Sequence, residues 1–91
     1  MCLFGMVAAD SETLDPQNCA ELRASFDNLE NWLKRILLEG RKAGVIVFSG
    51  SAQQEARLIL STLEGAMLVA RTYEDFARFG LVAQRLLGKL K

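Results

Sequence analysis

The sequence predicts an all-α fold, an antiparallel helical bundle, on three observations. Apolar residues recur three and four positions apart along most of the chain. Helix-start signals punctuate it at Asp15-Pro16, Ser51 and Asp75. The one run with strong β preference, Val45-Ile46-Val47-Phe48, is short and has no partner strand in sight.

Taken in order, Cys2 to Ala9 is almost wholly apolar and starts without a cap. It reads as the last turns of a helix. Asp15 then serves as an N-cap, and Pro16 takes the first helical position, where a missing N–H costs nothing. The pattern stays helical to about Lys42, with Leu22, Phe26, Leu29, Leu33, Ile36 and Leu37 forming a stripe flanked by Trp32. Glu30 and Lys34 are an i,i+4 pair in the favourable order. Gly44 suits the C′ position that ends this helix. Val45 to Phe48 is expected to be an extended connector whose side chains plug a gap between helices.

Ser51, with Gln54 three residues on, opens the next helix as a capping box. Ser51 to Arg71 is apolar around more than half its circumference. Ala56, Ile59, Leu60, Leu63, Met67 and Ala70 make one face, and Leu58, Thr62, Gly65 and Val69 make a second. A surface helix needs only one apolar stripe. A helix with two must be covered twice, and a short chain has little material to cover both. Gly65 sits mid-helix, a costly place unless another backbone approaches closely. After a break at Tyr73-Glu74-Asp75, the final helix is expected to run to the end. Its stripe is Phe76, Phe79, Val82, Ala83, Leu86, Leu87 and Leu90. So short a break makes the last two helices antiparallel neighbours.

Composition narrows the function classes. The chain has 91 residues, which makes one domain over residues 1–91. A domain of this size buries only roughly 60–65% of its unfolded surface, so association would help its stability. The apolar fraction is 51%, which argues against disorder. Eleven basic residues balance eleven acidic ones, and no Lys/Arg cluster forms a nucleic-acid footprint. There is no His, the commonest general base and transition-metal ligand. Cys2 and Cys19 match no zinc or CxxC spacing and read as reduced thiols of a cytoplasmic protein. No run approaches the roughly 20 apolar residues of a membrane span, and the apolar start lacks a basic n-region.

No constellation for catalysis, metal or cofactor binding is found. Gly40-x-x-x-Gly44 lacks the Lys-Ser/Thr of a phosphate loop. Glu64 is the one carboxylate inside an otherwise apolar helix, read either as a polar contact to a ligand or partner or as a solvated residue. Phe4, Phe26, Trp32, Leu63 and Met67 are the candidates for lining an apolar small-molecule pocket, with core packing the plainer reading of each.

Four local patterns resemble the C-terminal regulatory domain of TetR-family transcriptional repressors. Cys2-Leu3-Phe4-Gly5 resembles a G-C-L-(hydrophobic)-G helix opening, with Met1 in place of the first Gly. Leu37-Leu38-Glu39-Gly40-Arg41-Lys42-Ala43-Gly44 resembles L-x-E-G-x-x-x-G, and Ala56 to Leu60 resembles A-x-x-(I/L)-L. Leu63-Glu64-Gly65-Ala66-Met67-Leu68-Val69-Ala70-Arg71 resembles L-E-G-A-x-x-x-A-R. Their order and spacing together cover nearly the whole chain.

The resemblance implies a homodimer, with the last two helices pairing with their copies as a four-helix interface. Leu58, Thr62, Gly65, Val69, Val82, Leu86 and Leu90 are the expected contacts. It also implies a small, often hydrophobic inducer. DNA would be bound only through a helix-turn-helix domain, which these residues lack. The expectation is therefore a regulatory and dimerisation module resembling the C-terminal half of such a repressor. The alternative is a helical interaction protein that pairs with itself or a full-length relative without a ligand.

Overall fold

A computed structural model describes residues 16–91. The helix expected at Cys2–Ala9 and the Asp15 cap lie outside the described residues. The described chain forms three helices: α1 (Pro16–Lys42), α2 (Ala52–Thr72) and α3 (Phe76–Gly88).

α2 is the middle helix. It packs against α1 and against α3, whereas α1 and α3 scarcely meet. The molecule is only 15 Å across its thinnest direction. With α1 and α3 on different flanks of α2 and scarcely touching, the described helices form one layer about α2. A single layer cannot enclose a large core. The buried cluster is small: Leu37 from α1, Ala52, Ala56 and Ile59 from α2, and Leu90 from beyond α3. Leu33, Ile46, Phe48, Leu63 and Leu86 pack around it.

Local chemistry accounts for the ends. α1 closes in a complete Schellman motif. Gly44 sits at φ 78°, the Val45 N–H donates to the Gly40 carbonyl and the Gly44 N–H to that of Arg41. The expected glycine stop is thus in place. Ser51 caps α2, its hydroxyl accepting from the Gln54 N–H at 3.1 Å. α2 closes in a second Schellman motif, with Asp75 donating to Ala70 and Glu74 to Arg71. Here the left-handed position is held by Glu74, at φ 53°, not by a glycine. Asp75 then caps α3, its carboxylate accepting from the Ala77 N–H at 3.2 Å. One residue therefore ends one helix and starts the next, which folds α3 back along α2.

Three expectations need correction. The connector plugs the core with only half its side chains: Ile46 and Phe48 pack inward, and Val45 and Val47 are exposed. Alternate side chains of an extended segment point in opposite directions. Arg41 holds this connector, lying over the Phe48 ring at 4.2 Å and donating to the Gly50 carbonyl at 2.9 Å. Second, α3 ends at Gly88, and the chain tightens into i→i−3 turns through Lys89 and Leu90. That turn drops Leu90 into the core, where its carbonyl accepts from the Val47 N–H. Third, Glu30 makes its hydrogen-bonded ion pair across to α2, with Arg57, instead of along its own helix with Lys34.

Candidate subunit interface and ligand surface

The two expected faces of α2 meet different fates. Ala56, Ile59 and Ala70 of the first are buried. On the second, Leu58 is 55% exposed and Val69 47%. Beside that second face, α2 and α3 form an open groove of about 580 Å³, lined by Ser61, Thr62, Gly65, Ala66, Val69, Arg78, Leu81 and Val82. Its walls are mostly apolar. The Thr62 hydroxyl is turned back onto the Leu58 carbonyl at 2.7 Å, so its polar end is already satisfied by its own helix. Gly65 leaves open space where its side chain would be.

Of the seven expected interface residues, Thr62, Gly65, Val69 and Val82 line this groove, and Leu58 lies one turn along α2. Leu86 and Leu90 do not join them: Leu86 packs against the chain's own core and Leu90 lies within it. Leu81, which the periodicity did not single out, stands in the groove 59% exposed. It falls outside the inward stripe of α3. The usable signal was a large aliphatic residue on the polar side of an amphipathic helix. Phe76 and Leu87, expected on the inner stripe, are also exposed, because among the described residues α3 is the edge of the layer and packs chiefly on α2.

Charge sits at the margins. At the groove mouth Arg78 lies over the Tyr73 ring at 3.9 Å and pairs with Asp75 at 3.5 Å. Between α1 and α2, Arg57 grips Glu30 with two hydrogen bonds of 2.9 and 3.2 Å. The bonded guanidinium holds the Glu30 carboxyl below its ordinary range, and Glu30 holds Arg57 above its own.

The expected ligand residues are spread out. Phe4 lies outside the described residues. Phe26 and Met67 are half-buried, Leu63 packs on the core, and Trp32 stands outside it at 52% exposure. Glu64 is half-buried, and its Oε2 is shut off from water with no hydrogen-bond partner. Among the described residues no cluster of Cys, Asp and Glu could hold a metal ion, and no helix is long and apolar enough to cross a membrane.

The profile of the family described as "Transcriptional regulator LmrA/YxaF-like, C-terminal domain" matches residues 1–85. The chain belongs to the TetR family. A solved TetR-family transcriptional regulator from Agrobacterium tumefaciens is similar over 100% of this chain, at 32% identity and a TM-score of 0.94. The match covers 48% of that protein, so this TetR-type chain spans about half its length. No curated protein matches the chain. The all-α architecture expected of a TetR regulatory domain is the one observed.

Proposed function

We propose that this chain is the regulatory and dimerisation module of a TetR-type repressor, working as a homodimer in the cytoplasm and sensing a small apolar inducer. The observation that carries the reading is the uncovered apolar face shared by α2 and α3. Thr62, Gly65, Val69, Leu81 and Val82 line one continuous groove between α2 and α3. Exposed apolar patches of this kind mark interaction sites. A second α2–α3 pair laid on this face would turn the open layer into a four-helix bundle. DNA contact is assigned to a helix-turn-helix unit, since these 91 residues carry no net charge to attract phosphate.

Sedimentation equilibrium of wild type and Gly65→Leu tests the interface. Wild type is expected to be dimeric, and the leucine, filling the groove, to shift it to monomer. A variant that stays dimeric would remove the groove from the interface. Thermal-shift screening against apolar compounds tests the sensing role, with a dose-dependent rise in Tm expected. A dimer indifferent to every compound would favour the alternative, a pairing module without a ligand.

A further inference from the structure

We propose that the second copy docks turn over turn, with Arg78 of each protomer paired to Glu74 of the other. The proposal rests on the dimer reading above and names the contact that sets its register and selects the partner. Arg78 is the one charged residue lining the α2–α3 groove. Its guanidinium lies over the Tyr73 ring at 3.9 Å, and its Nε reaches Asp75 at 3.5 Å. Its two terminal nitrogens have no hydrogen bond among the described residues. Glu74, in the turn just before it, is exposed, and its carboxylate has no hydrogen bond or ion pair there either. Glu74 nevertheless occupies a left-handed position, at φ 53°, that glycine holds with less strain. Such an outlier points to a use for the side chain, and within the subunit it has none.

Covering the groove takes Arg78 partly out of water, so the cover must bring an acceptor. A two-fold interface sets one patch against itself, and each contact occurs twice. The turn end of the α2–α3 hairpin carries Arg71, Glu74, Asp75 and Arg78, and this balanced set complements itself. At the far end Arg85 and Lys89 outnumber Glu55, so a copy laid the other way round sets Arg78 over like charge. The far end is also occupied by the chain's own connector: Ile46 and Phe48 pack there with Leu86 and Leu90, and the Val47 N–H donates to the Leu90 carbonyl. The turn end stands clear. In the separate subunit the pair does not exist, and Glu74 is only a strained helix end.

The test is charge reversal in two separate chains, Glu74→Arg and Arg78→Glu, each checked for folding by circular dichroism. Each homodimer then holds like charges at both junctions, and its Kd by sedimentation equilibrium is expected to rise at least about tenfold over wild type. Mixed in equal amounts, the two variants meet with opposite charges at both junctions. Native mass spectrometry, which resolves the two chains, should show the heterodimer as the dominant dimer. Rescue on mixing separates a contact between subunits from one within a subunit, which mixing cannot restore. Homodimers as tight as wild type, an Arg78→Glu homodimer tighter than wild type, or a mixture without heterodimer would each overturn the proposal. Should Arg78→Glu fail to fold, Glu74→Arg carries the test alone: its dimer must be weaker than wild type and recover with added salt. A wild-type chain that dimerises while the variants behave like it defeats this inference only; a monomeric wild type defeats the dimer reading.

Discussion

The Ile46 side chain occupies the space that a Cβ on Gly40 would need. Gly40 is buried in the last turn of α1, and its carbonyl accepts from the N–H groups of both Val45 and Ile46. The helix end and the connector are thus folded onto each other at a point where only hydrogen fits. Gly40→Ala gains helix propensity of about 1 kcal/mol. It must also displace Ile46, and overpacking of this kind costs about 1–3 kcal/mol. The net expectation is a lower Tm, read by thermal unfolding; an unchanged or higher Tm would show the contact to be soft.

Gly65 is the opposite case. Among the described residues nothing occupies its side-chain space. In an isolated subunit Gly65→Ala should stabilise α2 by about 0.5–1 kcal/mol. If a second subunit covers the groove, the added methyl opposes that gain only in the dimer. Melting at high and low protein concentration separates the two. Stabilisation should be seen in the dilute sample and be smaller or reversed in the concentrated one.

Glu74 holds a left-handed conformation that costs a non-glycine residue about 1–2 kcal/mol. Its N–H still closes the end of α2 on Arg71. Glu74→Gly relaxes the strain and keeps the bond, so chemical denaturation should report about 1 kcal/mol of added stability. A decrease would mean that the glutamate side chain contributes something the backbone geometry does not reveal.

The Glu30–Arg57 pair gives the fold an acid-side dependence. Glu30 has its folded pKa held below the unfolded value by the hydrogen-bonded Arg57. Its contribution is therefore present above the ordinary carboxylate pKa and disappears as pH falls through the lower, folded one. Glu30→Gln should lower Tm at neutral pH and leave it closer to wild type in acid. Arg57 is largely exposed, so the effect is modest and should shrink with added salt.

Leu90 and Leu87 lie one turn apart and differ in burial: 9% exposed against 51%. Leu90→Ala opens a cavity beside Leu37 and Ile59 and should cost about 2–4 kcal/mol. Leu87→Ala should be within about 1 kcal/mol of neutral in the subunit. Equal losses from the two would contradict the turn that carries Leu90 inward.

The amino-acid sequence by itself determined the features that depend on neighbours along the chain. The C-terminal end of α1, the ends of α2, the Ser51 and Asp75 caps, the Gly44 stop and the two apolar faces of α2 follow from residues within a turn or two of each other. Three groove positions on α2, Thr62, Gly65 and Val69, were legible for the same reason, because a second apolar face on a helix shows in its periodicity, and Val82 belongs to the apolar stripe read for α3. Tertiary structure alone decided the rest. Whether Leu90 points inward, whether Glu30 turns to Lys34 or Arg57, which side of the connector packs, and that Leu81 joins the groove all depend on which helix lies alongside. Periodicity reports that a face is apolar; only packing in three dimensions reports what covers it, because burial is a property of the neighbour and not of the residue.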